Sequence, residues 1–210
     1  MNGAQIVIKT AVAAGIKICF ANPGTTEMPL VEALVSVPGI QAKLGLFEGC
    51  CTGAADGYAR MTGIPALTLL HLGPGLANGI ANLHNAHRAG TPVVNIIGDH
   101  ASWHRSADAP LSMDIETLAG VIPGWQRTNT SVERLSQDMA DAISAAMAGQ
   151  VATLIIPQDF QWGECADETI CSPFFSYDPV DEDLIESAAA CLKGDHETLI
   201  ILGGSTLRKE

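Results

Sequence analysis

The chain has 210 residues, of which 47% are hydrophobic and 16% are charged, and its formal net charge is -12. A chain of this length and apolarity can form one domain with a sizeable core, or one domain and part of another. The negative charge argues against nucleic acids and anionic membranes as partners, because both attract positive potential.

Helical and strand patterns alternate regularly in the first part of the chain. In chain order, the sequence predicts a helix at 3–14, a strand at 16–21, a turn at 22–25, a helix from Thr26 or Glu27 to just before Pro38, a strand at 40–47, a helix at 48–62, a strand at 66–72, a helix at 76–89, a strand at 93–97, a loop at 99–112, helices at 114–119 and 131–148, and a strand at 151–156. The strands include continuous apolar runs, which are typical of strands covered on both faces. We therefore expect a three-layer α/β/α fold with a mostly parallel sheet.

The composition changes towards the end of the chain. Residues 158–179 are rich in Pro, Asp, Phe and Ser without periodicity, which predicts a linker. A helix at 181–193 and a strand at 198–202 follow, and they form an unfinished α/β unit. We expect a first domain at 1–160, a linker at 161–180 and the truncated start of a second α/β domain at 181–210, within a longer protein.

The cysteines and the N-terminus bear on where the protein works. The six cysteines show no CxxC spacing, and Cys50 and Cys51 are adjacent on a predicted helix, where they cannot easily bridge each other. Reduced, mostly buried cysteines fit the cytosol. The N-terminal residues lack the apolar core of a signal peptide, and no segment reaches the roughly 20 apolar residues of a membrane span. We expect a cytoplasmic protein with no membrane partner.

The segment between Gly45 and Gly98 carries polar residues directly after predicted strands. Glu48 stands where a strand gives way to a helix, and a turn at residues 73–75 follows the next strand, with Asn78 just beyond it. Open α/β sheets place their ligand sites at the carboxyl ends of successive strands. An acidic residue is also common in the first turn of any helix, where free N–H groups favour a negative charge.

These motifs resemble the pyrimidine-binding domain of thiamine-diphosphate enzymes that act on 2-oxo acids. That family has His-Glu before a small-residue helix and then Ala-x-Gly-Tyr-Ala-Arg; this chain has Phe47-Glu48-Gly49 and Ala55-Asp56-Gly57-Tyr58-Ala59-Arg60. Gly73-Pro74-Gly75-Leu76-Ala77-Asn78 matches the family's Gly-Pro-Gly-x-x-Asn turn. The resemblance implies that Glu48 hydrogen-bonds the aminopyrimidine of the cofactor and activates it. It also implies that the cofactor contacts Gly73, Pro74, Gly75 and Asn78.

Two further segments relate the chain to different branches of this family. His71 stands directly before the glycine turn, where enzymes similar to benzoylformate decarboxylase carry a catalytic histidine and acetolactate synthases a small or hydroxyl residue. A lone histidine is also a common structural hydrogen-bonding group. The stretch Asn22-Pro23-Gly24-Thr25-Thr26-Glu27 looks like the decarboxylase's Asn-Pro-Gly-Ser-x-Glu, whose hydroxyl residue, matched by Thr25, reaches the substrate carboxylate. The resemblance adds Asn22, Pro23, Gly24 and Thr25 to the cofactor-binding residues.

The resemblance implies the N-terminal module of an acetolactate-synthase-like 2-oxo acid decarboxylase or carboligase. The alternatives are a benzoylformate-decarboxylase-like lyase that uses His71 and a non-catalytic binding or regulatory module. The implied cofactors are thiamine diphosphate and Mg²⁺, which a diphosphate domain outside this chain mainly binds. FAD is possible in the full-length protein, and its determinants lie in domains outside this chain. The implied substrate is a small 2-oxo acid and the implied assembly a homodimer or homotetramer. We expect the isolated chain to be inactive, because the diphosphate domain lies outside it. We also expect its own residues to form no metal site, since the pairs His84–His87 and His100–His104 lack a third ligand.

Overall fold

The structure is a computed structural model, and it describes residues 1–165, 170–176, 179–195 and 197–207. The chain divides into two units, Met1–Phe175 and Ser176–Glu210. The expected division into a domain, a linker and the start of a second domain stays a prediction. Parts of the linker and of the second segment lie outside the described residues, namely 166–169, 177–178, 196 and 208–210.

The first unit is an alternation of strands and helices. Its strands are β1 (Ile18–Asn22), β2 (Gln41–Leu44), β3 (Ala66–His71), β4 (Val93–Asp99), β5 (Gln126–Thr128) and β6 (Val151–Pro157). Its α-helices are α1 (Gly3–Ala13), α2 (Met28–Ser36), α3 (Glu48–Thr62), α4 (Leu72–Arg88), α5 (Ile115–Ala119), α6 (Leu135–Met147) and α7 (Gln158–Trp162). Short 3₁₀ turns lie at Thr25–Glu27, Arg105–Ala107 and Val132–Arg134.

The sheet is parallel throughout, in the spatial order β2-β1-β3-β4-β6-β5. Buried side chains of α1, α2 and α6 pack in one hydrophobic cluster, and those of α3, α4 and α5 pack in a second. β4 and β6 are buried along their whole length, and β3 is buried up to its last residue, His71. These strands are apolar because helices cover both of their faces. The predicted three-layer α/β/α fold with a parallel sheet is confirmed.

Local sequence signals account for the helix ends. Asn2 and Gln5 form a capping box at the start of α1, in which the side chain of each accepts from the backbone N–H of the other at 2.9 and 3.2 Å. α3 ends at Gly63, whose φ of 71° lies in the left-handed region that glycine adopts without steric cost. The predicted bounds 48–62 of α3 are confirmed.

The predicted turn at residues 73–75, before a helix at 76–89, is wrong. α4 begins at Leu72, so Gly73, Pro74 and Gly75 form its first turn. Proline is tolerated there because the N–H that it lacks would have no helical partner. The chain instead changes direction at Leu72, whose φ of 53° is uncommon for a residue with a side chain.

Three other elements differ from the prediction. β5 and α7 are absent from the prediction, because each is a short and largely polar segment with no complete period. The predicted strand at 198–202 is wrong, since residues 197–203 have no regular structure. The described part of the second unit holds α8 (Glu182–Lys193) and a 3₁₀ turn at Gly204–Leu207, and it offers no strand for pairing. A lone strand without a partner leaves its backbone groups unpaired.

The described residues show neither a membrane-spanning helix nor a disulfide. Every helix among the described residues falls short of the length and apolarity that a bilayer crossing needs. No disulfide joins the described cysteines.

A row of polar side chains crosses the centre of the buried sheet. Thr68, Asn95 and Thr153 are register partners on β3, β4 and β6. The Thr68 hydroxyl donates to Asn95 Oδ1 at 2.6 Å, and Asn95 Nδ2 donates to Thr153 Oγ1 at 3.3 Å. Because Asn95 pairs with both threonines, it keeps two buried hydroxyl groups satisfied.

Replacing Asn95 with alanine is therefore expected to lower the free energy of unfolding by about 2–3 kcal/mol, through unpaired hydroxyls and a small cavity. Urea unfolding followed by circular dichroism measures this loss. Asn85→Ala is the matched control, because Asn85 is exposed on α4, and it is expected to cost less than about 0.5 kcal/mol. Equal losses in the two variants would contradict a role for the polar row.

Candidate functional site

The predicted site residues gather at the carboxyl ends of β1 and β3. The chain leaves β1 through α2 towards one edge of the sheet, and it leaves β3 through α4 towards the other edge. The strand order therefore reverses between β1 and β3, and open α/β sheets bind ligands in the crevice at such a point. His71 ends β3, and Glu48 begins the helix that leads back into β3.

Glu48 is half-buried and is positioned by a contact from α4. Asn78 Nδ2 donates to Glu48 Oε2 at 3.0 Å. A Cβ at Gly75 would lie 3.3 Å from Glu48 Oε1 and 3.5 Å from the Cβ of His71, so both side chains border the backbone of Gly75. Oε1 has no hydrogen-bond partner among the described residues. One oxygen of this carboxylate is fixed, and the other is available to a ligand.

A second carboxylate, that of Glu27, is fully buried beside His71. His71 Nδ1 lies 2.8 Å from Glu27 Oε2, and Glu27 is 0% exposed. The same carboxylate accepts from the Gly24 backbone N–H at 2.7 Å and from the Thr26 hydroxyl at 2.6 Å. Buried carboxylates need such partners, because an isolated charge in the interior is very costly.

Two glycines make this arrangement possible. A Cβ at Gly24 would overlap the imidazole of His71, and a Cβ at Gly98 would overlap the carboxylate of Glu27. Gly98 on β4 is the register partner of His71 on β3. Glycine at both positions allows the backbone to approach the Glu27–His71 pair closely.

The pair determines the protonation behaviour of His71. The hydrogen bond to Glu27 raises the pKa of His71, the negative charges of Glu27 and Glu48 raise it further, and burial opposes them. Because Nδ1 is engaged by Glu27, Nε2 is the ring nitrogen left for a ligand, and it has no hydrogen-bond partner among the described residues. A carboxylate that orients a histidine in this way is a common arrangement for proton transfer.

The remaining predicted residues have mixed placements. Asn22 Nδ2 donates to the Gly45 carbonyl at 2.9 Å, which ties the end of β1 to the loop after β2. Thr25 is exposed, and its carbonyl accepts from Gln158 Nε2 at 3.2 Å. A Cβ at Gly73 would overlap the side chain of Met113. The structure thus brings together the following predicted residues: Glu48, His71, Gly24, Gly75 and Asn78. Pro23 and Pro74 are half-buried neighbours of this group in sequence.

Glu27 is a site residue that is not among those predicted from the sequence. Glu27 is predicted as the start of a helix, where acidic residues are common, and it ends a family motif in which no contact is assigned to it. Its motif partner Gly24 and its neighbour Thr26 are both donors to its carboxylate. The available signal was the glutamate that closes the Asn-Pro-Gly-x-x-Glu motif, but its contact with His71 spans 44 residues of sequence.

Metal ligands are a separate question. Among the described residues, no group of three His, Cys, Asp or Glu side chains is placed to hold a metal ion. His100 and His104 lie edge to face, with ring centroids 5.5 Å apart.

Comparisons with known proteins identify the family of the chain. The family model described as thiamine pyrophosphate enzyme, N-terminal TPP binding domain, matches residues 1–118. A Mycobacterium tuberculosis protein named "Putative acetolactate synthase large subunit IlvX" is 47% identical over 210 residues, which are 99% of this chain and 40% of that protein. The acetolactate synthase isozyme 2 large subunit of Escherichia coli is 33% identical over 163 residues, which are 77% of this chain and 30% of that protein.

A solved structure has a similar fold. The Rhodococcus jostii RHA1 thiamine diphosphate-dependent 4-hydroxybenzoylformate decarboxylase superposes with a TM-score of 0.79 at 23% identity, covering 91% of this chain and 37% of that chain. This likeness supports the fold. The chain spans 40% or less of the length of these three proteins. The chain belongs to the family of thiamine pyrophosphate (thiamine diphosphate) enzymes, and its residues 1–118 match their N-terminal TPP-binding domain.

Proposed function

We propose that the chain is the N-terminal module of an acetolactate-synthase-like enzyme that decarboxylates or joins small 2-oxo acids. The observation that carries the proposal is the Glu48 carboxylate at the strand-order reversal, with Oε2 held by Asn78 and Oε1 available. The acetolactate synthases among the relatives support the reaction class.

In this proposal Glu48 exchanges a proton with the aminopyrimidine of thiamine diphosphate. When it is bound, this cofactor supplies the electron sink that 2-oxo acid chemistry requires. Glu48 presents Oε1 as a hydrogen-bond acceptor, and the Asn78 amide keeps Oε2 from rotating away. The glycine at 75 keeps a side chain out of the space beside Oε1. The residues present therefore fit an aminopyrimidine.

His71 is the second proton-transfer group of the proposal. Glu27 engages Nδ1 and leaves Nε2 to donate a proton to, or accept one from, the substrate. Its raised pKa keeps it protonated at a higher pH than an ordinary histidine, which suits a proton donor. We include this role within the synthase-like reaction, because the two sequence relatives above 30% identity carry the name acetolactate synthase, and the decarboxylase structure, at 23% identity, supports the fold alone. The organised Glu48 and Glu27 contacts do not favour a non-catalytic module.

Further parts of the proposal concern groups outside this chain. Leu44, Leu46 and Phe47, directly before Glu48, are 74%, 92% and 49% exposed. Exposed apolar side chains beside a site are typical of surfaces that another subunit covers, which supports a homodimer or homotetramer. We further propose that Mg²⁺ and the diphosphate of the cofactor bind mainly to a diphosphate domain, and that the protein is cytoplasmic.

Isothermal titration calorimetry with thiamine diphosphate and Mg²⁺ tests the proposal. We expect the full-length gene product to bind the cofactor at least about 100-fold more tightly than the isolated 210-residue chain, a difference of about 2.7 kcal/mol. The reason is that the isolated chain contributes contacts to the aminopyrimidine and lacks those to the diphosphate. Equally tight binding by the isolated chain would contradict this assignment, and a full-length product that consumes no 2-oxo acid would contradict the proposed reaction.

A further inference from the structure

Leu72 combines a strained backbone with a fully buried side chain. Its φ of 53° lies in the left-handed region, and the residue is 1% exposed. Within the described part of the chain, Asp108 is the one other residue with a side chain that has a positive φ. Asp108 is exposed in a loop, and aspartate tolerates this conformation better than leucine does. The strain at Leu72 therefore needs a cause in the surrounding structure.

The burial of the Leu72 side chain can offset this strain. A left-handed residue costs roughly 5- to 30-fold in the folding equilibrium, whereas burial of a leucine side chain favours the folded state by roughly 10- to 150-fold. Glycine at position 72 would adopt the same φ without strain, but it would give up that burial. Strained residues persist where the surrounding structure holds them, and they cluster at functional sites. Leucine at this position therefore holds the left-handed turn through its buried side chain.

The turn at Leu72 determines how His71 leaves the sheet. His71 is still extended, with φ -86° and ψ 102°, and α4 begins at the next residue. The first turn of α4 folds back onto the end of β3, since a Cβ at Gly75 would lie 3.4 Å from the carbonyl carbon of Leu70 and 3.5 Å from the Cβ of His71. The reversal between strand and helix thus falls on Leu72.

The contacts of the His71 ring depend on this direction. Nδ1 lies 2.8 Å from Glu27 Oε2 and 3.3 Å from the Thr26 hydroxyl oxygen. The ring also lies against Gly24, where a Cβ would overlap it. If Leu72 relaxed to a negative φ, β3 and α4 would meet at another angle, and the imidazole would move away from these partners.

Resting on the proton-transfer role proposed for His71, we infer that Leu72 is a positioning residue, whose anchored left-handed turn aims the His71 imidazole at Glu27 and leaves Nε2 to the substrate. The same turn places Gly75 beside Glu48, since a Cβ at Gly75 would lie 3.3 Å from Glu48 Oε1. Leu72 acts on the site through the residues on either side of the turn, and it needs no contact with the substrate.

Leu72→Gly and Leu72→Ala test this inference, because both remove the buried side chain and only glycine adopts a positive φ freely. NMR titration of the 210-residue chain follows the His71 ring, whose signal is identified by its absence from His71→Phe. The hydrogen bond to Glu27 and the charges of Glu27 and Glu48 raise the pKa of this ring. We expect the raised pKa to persist in Leu72→Gly and to fall towards 6.5 in Leu72→Ala. The unfolding equilibrium constant is expected to be at least about 5-fold larger for Leu72→Ala than for Leu72→Gly.

The activity of the full-length gene product gives a second measurement. We expect kcat with pyruvate to be at least about 10-fold lower in Leu72→Ala than in Leu72→Gly, because a displaced proton-transfer group slows the chemical step. Asp108→Ala is the matched control, since Asp108 has a φ of 49° in an exposed loop, and it is expected to leave the His71 pKa and kcat unchanged. If the truncated variants do not fold, Leu72→Met and Leu72→Val make the same comparison with an apolar side chain retained, because the branched Cβ of valine opposes a positive φ.

The outcomes separate this inference from the proposed function. Equal His71 pKa values in Leu72→Gly and Leu72→Ala would overturn the positioning role and leave the 2-oxo acid reaction intact. Different pKa values together with equal kcat values would show that the turn positions His71 without serving turnover, which also overturns the inference. If the pKa values differ and the full-length product consumes no 2-oxo acid, the effect of Leu72 on His71 is upheld and the proposed function is contradicted.

Discussion

Replacing Glu48 with glutamine is expected to lower kcat of the full-length gene product on pyruvate by at least about 100-fold, which is typical of the loss of a positioned acid–base group. The glutamine oxygen can still accept from Asn78, so the side chain keeps its place. What it loses is the ability to take a proton and return it. Steady-state kinetics at saturating cofactor measures the effect.

Two controls accompany this experiment. Glu32→Gln removes an exposed carboxylate from α2, so a fall in activity in that variant would indicate a general charge effect. Urea unfolding of the Glu48→Gln chain is expected to match the unaltered chain within about 0.5 kcal/mol, because Glu48 is half-buried and its contact with Asn78 is retained. A Glu48→Gln enzyme with activity within threefold of the unaltered enzyme would remove Glu48 from the mechanism.

The prediction of the fold succeeded where burial is uniform along an element. β3, β4 and β6 are apolar because both faces are covered, and a run of apolar residues needs no partner to be recognised. It failed where an element depends on a neighbour. β5 consists of Gln126, Arg127 and Thr128 and exists because β6 offers its edge. The segment 198–202 is apolar and finds no such edge in the described part of its unit.

The residues of the candidate site also differ in how far the sequence predicts them. Glu48 begins the helix after β2, His71 ends β3 and Asn78 lies in the second turn of the helix after β3, so their gathering at the carboxyl ends of the strands could be predicted from chain order. The role of Glu27 could not be predicted from chain order, because its carboxylate lies in the interior and contacts His71, which is 44 residues away in the sequence. The same long-range contact requires glycine at position 98, since a side chain there would displace the Glu27 carboxylate.

Replacing His71 with phenylalanine is expected to lower the free energy of unfolding by about 3 kcal/mol, because it leaves the fully buried Glu27 carboxylate without its imidazole partner. Adding Glu27→Gln to this variant is expected to restore at least about half of the loss. The neutral amide needs no counter-charge. Its oxygen, in the place of Oε2, can accept from the Gly24 N–H, and its nitrogen can donate to the Thr26 hydroxyl. Urea unfolding of the unaltered chain, of His71→Phe, of Glu27→Gln and of the double variant forms a double-mutant cycle. Additive losses would show that the two side chains do not interact.

The pH dependence gives this pair a signature that a packing effect lacks. The pKa of His71 is raised above 6.5 in the folded chain, so the folded state binds more protons than the unfolded state between the two values. The stability from the pair is fully present below about pH 6.5 and is lost as pH rises through the raised folded pKa. The difference in unfolding free energy between the unaltered chain and Glu27→Gln is therefore expected to shrink from pH 6 to pH 9. A difference that stays constant over this range would exclude a charged Glu27–His71 pair.

The same pair connects stability to turnover. If Glu27 positions His71 for proton transfer, Glu27→Gln lowers the pKa of His71 and moves the alkaline limb of the kcat profile to lower pH, whereas a purely structural contact would lower activity equally at every pH. His71→Phe removes the proton-transfer group itself, so we expect about a 100-fold loss with pyruvate and with benzoylformate. Decarboxylation of both substrates at unchanged rates in His71→Phe would leave Glu27 and His71 as a structural pair beside a site that Glu48 serves alone.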